Sequence, residues 1–167
     1  MSTEMLKATK VRIYPTPEQA EFLNRQFGAV RFAYNKALHI ISSQYKRHGL
    51  KLNAKKELKP LLAVAKKSRK YHWLNDFDSI ALQQACINLY QAFQRFFDPK
   101  LASRCPKFKR KQGKQSSYHC MSVGCGDDWI KVPKLEPIKA RIHRKLEGKL
   151  KSITLSRNRR ILCLTAA

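Results

Sequence analysis

The fourteen residues LKATKVRIYPTPEQ, positions 6–19, hold two periodicities in succession. Over 6–14, Lys7, Thr9 or Lys10, and Arg12 interleave with Ala8, Val11 and Ile13, the alternation of a half-buried strand with one basic face. Pro15 then stops the strand, and the next four residues carry the marks of a helix start. Thr16 suits the N-cap, Pro17 the first helical position, and Gln19 closes a capping box. Downstream, Leu23, Phe27, Val30, Tyr34, Leu38, Ile41 and Tyr45 recur at spacings of three or four. That is one apolar stripe on a helix of about thirty residues, which Gly49 ends. Gly28 costs such a helix up to about 1 kcal/mol relative to alanine, which suggests close packing there.

Residues 50–75 are mixed and Lys-rich; KELKPLLAVAKKSRK reads as one or two short helices interrupted by Pro60. Asp78 or Ser79 then caps a second strong helix with the stripe Leu82, Cys86, Leu89, Phe93 and Phe96, ending before Pro99. Two such stripes should pack in a small helical bundle. After residue 115 the period becomes two: SSYHCMSV, WIKVPKL, PIKARIHR, KLKSITLSR and RRILCLTA read as short strands. Gly124, Gly126, Pro133, Pro137, Gly148 and Asn158 separate them. A small antiparallel barrel or sandwich follows, and the first strand, basic in the same alternating way, is expected to join it. The fold class is then α+β, a helical bundle inserted into a small antiparallel β-barrel. The expected modules are a discontinuous β module (1–15 and 116–167), a helical module (16–100) and a basic connecting loop (101–115).

Charge decides the class of partner. The 167 residues carry 35 Lys and Arg against 11 Asp and Glu, a net charge of +24. Self-repulsion of that size works against a compact fold, so a polyanion is the natural partner, and nucleic acid is the leading reading. An anionic membrane surface and a merely solubilising charge are the alternatives, but the charge is spread over the whole chain rather than gathered on one amphipathic helix. No apolar run approaches the roughly twenty residues that span a bilayer, and MSTEMLKATK lacks a secretory apolar stretch. A cytoplasmic, nucleoid-associated location is expected, with the five cysteines as thiols. Cys120 and Cys125, with His119 and His143 nearby, lack the paired close spacing of a zinc site, so no metal and no cofactor is expected.

Catalytic constellations are thin. Asp76 and Asp78 precede a helix, where carboxylates cap free N–H groups, and Asp127 and Asp128 follow Gly126 in a turn. Converging carboxylates for two-metal chemistry cannot be assembled, and neither a Ser-His-Asp set nor a phosphate-cradling glycine loop is visible. His39 and His72 read as packing or surface residues. Basic residues, by contrast, combine with aromatics as nucleic-acid surfaces do. In PKFKRKQGKQSSY (106–118), Lys107, Lys109, Arg110, Lys111 and Lys114 bracket Phe108; the plainer alternative turns Phe108 into the core. Lys7, Lys10 and Arg12 line the first strand, and Lys139, Arg141, Arg144, Lys145, Arg157, Arg159 and Arg160 the later ones. Arg31, Tyr34, Asn35, Gln83 and Gln84 are polar groups on or beside the helical stripes, and amides there could read adenine edges.

Four segments in this order, KATKVRIYPTPEQAEFLNRQFGAVRFAYNKAL, WLNDFDSIALQQACINLYQAFQRFF, PKFKRKQGKQSSY and IKVPKLEPIKARIHRKLEGKLKSITLSR, resemble the N-terminal half of TnpB. TnpB proteins are the OrfB-type proteins of bacterial insertion sequences, annotated for a helix-turn-helix domain and acting as RNA-guided DNA endonucleases. The resemblance covers about residues 5–165. It implies a wedge-type β-barrel with an inserted helical recognition module, together holding guide RNA and a short DNA motif beside the target. It further implies Ser79 and Gln83 as contacts to that duplex motif, with Tyr34, Asn35, the PKFKRK loop and Tyr118 near nucleic acid. In the family a RuvC-like nuclease and a four-cysteine zinc ribbon follow the last strand, whereas this sequence stops at ILCLTAA. The expectation is a truncated or split copy that binds guide RNA and duplex DNA without cutting. Regulatory competition with an intact copy, complementation by a separate RuvC chain, and a decaying remnant are its alternative roles. Neither a membrane partner nor a small-molecule substrate is expected.

Overall fold

The computed structural model describes residues 8–112, 116–143, 150–158 and 160–166, with only the backbone course of 158 and 160–166. The fold is α+β, with an antiparallel sheet curled into a half-barrel. Contacts divide the chain into a β unit (Met1–Phe27 with Lys114–Ala167) and a helical unit (Gly28–Gly113). The division falls inside the first helix.

In the β unit, strand β1 (Ala8–Tyr14) buries Val11 and Ile13 and exposes Lys10, Arg12 and Tyr14, as its alternation requires. The remaining strands are β2 (Ser116–Cys120), β3 (Gly124–Cys125), β4 (Trp129–Lys131), β5 (Ile138–Arg141), β6 (Ser152–Asn158) and β7 (Arg160–Ala166). Their order is β2-β6-β7-β1-β5-β4-β3, every described pairing antiparallel. β1 therefore sits in the middle, pairing with β7 on one side and β5 on the other. Gly124, expected to break a strand, pairs with Lys131 instead and makes a short hairpin arm. A sandwich does not form, because the described strands all belong to one sheet.

Helix α1 (Pro17–His48) begins as its sequence dictates. The Thr16 amide donates to Gln19 Oε1 at 3.0 Å and the Gln19 amide donates to Thr16 Oγ1 at 3.3 Å, the reciprocal capping box. Gln19 Nε2 also donates to the carbonyls of Glu136 and Pro137, tying the helix start to the sheet. Leu23 and Phe27 close the core of the β unit with Ile130, Ile138, Ile153 and Leu155, and Phe27 meets Tyr118 edge to face at 5.3 Å.

In the helical unit, Val30, Tyr34, Leu38 and Ile41 of α1 are buried, but Tyr45 is exposed because the stripe outruns its partners. Gly49 adopts φ +66° and its amide donates to the Tyr45 carbonyl, the left-handed stop that glycine takes without strain. A π-helical turn (Ala54–Leu58) leads into α2 (Lys59–Lys67). Pro60 opens this helix rather than interrupting it, since a first-turn residue has no helical acceptor for its amide. A 3-10 stretch (Arg69–Asp76) follows, and then α3 (Ser79–Phe97). Asp78 is the N-cap of α3, accepting from the Ile80 amide at 3.0 Å. Leu82, Cys86 and Leu89 are buried, whereas Phe93 is half-buried and Phe96 exposed, so the predicted stripe of α3 runs out one turn early. Phe32, Ala37 and Ile40 of α1, Leu62 of α2, Leu74 and Cys86 line one apolar cavity of about 130 Å³, around which the helices gather.

Candidate nucleic-acid interface

The irregular segment 102–112 follows α3 and would be expected to move freely, because it has no ladder to hold its backbone. One side chain supplies that ladder. Asn35 Nδ2 on α1 donates to the Lys109 carbonyl at 2.9 Å, and the Lys109 amide donates to Asn35 Oδ1 at 2.8 Å. The Lys109 ammonium lies 4.4 Å from the centre of the Tyr34 ring, a cation–π contact beside the clamp. Tyr34 is buried, and burial, with a smaller contribution from Cys105, raises its phenol pKa. Crowding around the Lys109 ammonium lowers its pKa, although the residue as a whole is exposed. With Lys109 turned in, Lys107, Phe108, Arg110 and Lys111 face solvent, Phe108 being 54% exposed. Phe108 thus leaves the core, and the segment presents cations around an aromatic ring.

The second basic surface is built by strand register. On the outer face of β1, β5 and β4, Arg12 stands directly opposite Arg141, Tyr14 opposite Lys139, and Lys139 opposite Trp129. Lys10 and Lys131 extend the same exposed face. Directly opposed like charges on a sheet destabilise it. Among the described residues no carboxylate pairs with Arg12, Arg141, Lys10, Lys131 or Lys139 to relieve them.

The side chains expected at nucleic acid fall into distinct groups. Lys10, Arg12 and Arg141 lie on the sheet face, and Lys107, Phe108, Arg110 and Lys111 on the held segment. Tyr118, expected near nucleic acid, is buried, its ring only 5% exposed and packed on Phe27. The Tyr34 ring and the Asn35 amide both engage Lys109. Arg157 Nη1 donates to Asn24 Oδ1 at 2.6 Å, bracing the first part of α1. Arg31 is half-buried on α1 and Gln83 half-buried on α3, while exposed Ser79 accepts from Lys66 Nζ at the start of α3. Lys7, Lys114, Arg144 and Arg159 lie outside the described residues, as does the Arg160 side chain. Sequence reasoning missed Tyr14, Trp129 and Lys131; the alternation in WIK puts Trp129 and Lys131 on one face, but their neighbours depend on a register that only the fold reveals.

Cys120 is buried, its thiol donating to the Ile153 carbonyl, and Cys125 donates to the Gly126 carbonyl. Among the described residues no group of three or more His, Cys, Asp or Glu could hold a metal ion, and no helix is long and apolar enough to cross a membrane.

Comparison with known proteins matches residues 1–50 to the helix-turn-helix domain of OrfB proteins of the IS605 kind. In this chain the described part of that span builds β1 and the single long helix α1. A putative RNA-guided DNA endonuclease of Streptomyces pristinaespiralis is 32% identical over 164 residues, and InsQ of Escherichia coli K12, also a putative RNA-guided DNA endonuclease, is 29% identical over 162. The virulence protein VsdF of Salmonella dublin is 64% identical over 116 residues, which are 66% of this chain and 98% of VsdF. The chain belongs to the TnpB family. It spans about two fifths of the two endonucleases, 40% and 38% of their lengths, while those matches cover 95% and 92% of this chain. As a TnpB-type chain it is a nucleic-acid-binding, transposon-associated protein.

Two variants separate holding from contact. Asn35→Ala is expected to leave the helical unit folded by circular dichroism while proteolytic cleavage within 107–111 accelerates; unchanged cleavage would show that the amide does not hold the segment. Arg141→Glu should raise stability by about 0.5–1 kcal/mol, read from the denaturant midpoint, while weakening nucleic-acid binding. A loss of stability would mean that the facing arginines carry no mutual strain.

Proposed function

We propose that these residues bind guide RNA and the duplex DNA beside its target, and do not themselves cut. The observation that carries the reading is the Asn35 clamp, which turns a basic segment outward with Lys107, Phe108, Arg110 and Lys111 presented together. A chain that spends a buried tyrosine and a helix amide on holding one lysine gives that segment a defined course, which a merely solubilising loop does not need. Cations there neutralise phosphates and release counterions, and the exposed ring stacks on a base or sugar. The relatives named as RNA-guided DNA endonucleases support RNA as one ligand and DNA as the other. Exposed Ser79 and half-buried Gln83 near the start of α3 are the proposed contacts to duplex DNA, where the helix dipole also favours phosphate.

The local structural roles of several described carboxylates support the absence of cutting. Asp78 caps α3, Asp98 accepts from the Lys100 amide, Glu57 accepts from the Asn53 amide, and Asp127 and Asp128 shape the turn before Trp129. Without a nuclease, these residues would act by occupying RNA or DNA in competition with a cutting relative.

The test is to purify the chain from its native host at moderate salt and sequence the RNA that accompanies it. A single enriched transcript is expected. Neutralising Lys107, Arg110 and Lys111 together should lower the slope of log affinity against log salt by about two to three. Bulk ribosomal RNA that washes off with added salt, from parent and variant alike, would contradict guide-RNA binding. DNA cleavage with Mg²⁺ that survives repurification would contradict the absence of cutting.

A further inference from the structure

We propose that the outer face of β1, β5 and β4 is a stacking platform for unpaired bases of RNA, with Trp129 and Tyr14 taking the bases and Arg12 with Arg141 holding a phosphate. The inference rests on the RNA-binding reading above and assigns it a surface and a nucleic-acid form. Two rows of side chains cross the strands. The first is Trp129, Lys139 and Tyr14, adjacent through the β4–β5 and β5–β1 registers. The second, two residues further along, is Arg141 opposite Arg12. The first row sets a cation between two aromatic side chains, Tyr14 46% exposed and Trp129 38% exposed.

The indole is seated, not merely exposed. A Cβ at Gly126 would come within 2.3 Å of the Trp129 ring nitrogen, and one at Gly124 within 3.6 Å of the ring. The glycines of the β3 arm therefore leave room for the ring to lie against the turn, while the Gly126 amide donates to the Trp129 carbonyl. A large apolar ring held against backbone with part of its surface open has the form of a stacking site, where side-chain freedom has already been removed. The neighbouring arginines face each other without a carboxylate among the described residues, an arrangement that a bridging phosphate relieves.

The geometry also selects the form of the ligand. In a duplex the base faces are covered by their neighbours and only edges and phosphates remain, so aromatic rings gain nothing from it. Single-stranded loops and bulges of a folded RNA offer unstacked faces, and recognition by aromatic stacking belongs to them. Backbone positions of Trp129 and Tyr14 lie two strand spacings apart, about 10 Å, which leaves room for separate bases.

The chain has two tryptophans, Trp73 and Trp129, so Trp73→Phe in the full chain makes Trp129 the sole emitter. Titration with a short single-stranded RNA of mixed, non-self-complementary sequence is expected to quench that emission. Trp129→Leu should weaken this RNA about five- to one-hundred-fold, with Trp129→Phe restoring most of it. Arg12→Gln should weaken binding and lower the salt slope by about one while the quench at saturation persists. Duplex DNA affinity should be the same in Trp129→Leu and its parent. Unchanged emission at saturating RNA, or unchanged affinity in Trp129→Leu, would overturn the proposal while duplex binding left the broader reading standing. Equal quenching and affinity with single-stranded DNA of the same sequence would overturn the assignment to RNA. The quench in Trp73→Phe needs no disruptive substitution, so it decides the matter even where Trp129→Leu fails to fold. Failure of the parent chain to bind either RNA or duplex DNA would instead strike at the proposed function.

Discussion

The sheet exists because β1 pairs on both its edges. Without residues 8–14 the order β2-β6-β7-β1-β5-β4-β3 falls into two three-strand pieces that share no ladder. A strand from one end of the chain is thus the seam between strands that lie more than a hundred residues away, and its pairing closes a very long loop in the chain. Loop closure of that kind grows only slowly with length, so an inserted helical unit adds little to its cost. Burial of Val11 and Ile13 with Ile138, Ala140, Ile153 and Leu155 offsets that entropy on the inner face.

The same seam organises charge. Because Val11 and Ile13 must point inward, Lys10, Arg12 and Tyr14 point outward, and the register with β5 sets Arg12 against Arg141. A sheet that needed only stability would place a carboxylate at one of these positions. Local rules broken at a defined place mark function more reliably than net charge does. In the helical unit the corresponding device is different. There a polar amide, Asn35, takes the part of a neighbouring strand for the backbone of Lys109, and the basic segment gains its course from one residue.

Much of this was legible in the sequence. The capping box at Thr16 and Gln19, the left-handed stop at Gly49 and the cap at Asp78 are local, so spacing and residue type suffice to find them. The alternation of 8–14 and its kinship with later strands foretold that β1 would join the sheet. What stayed hidden depends on contacts distant in sequence. Nothing in the order of residues says that Asn35 will meet Lys109, or that Tyr118 will turn onto Phe27 while Phe108 turns out. Trp129 does not stand out in the sequence because it follows a Gly–Asp-rich turn and reads as a strand start; only the register sets it beside Lys139 and Tyr14. Stripes misled at their ends, at Tyr45 and Phe96, because periodicity continues where packing partners do not.

The most direct test of the account is ultraviolet cross-linking of the chain to its co-purified RNA, followed by mass spectrometry of the linked peptides. Links are expected on the segment 107–111 and on the strands holding Tyr14 and Trp129. Links confined to other surfaces, with these peptides clean, would contradict it.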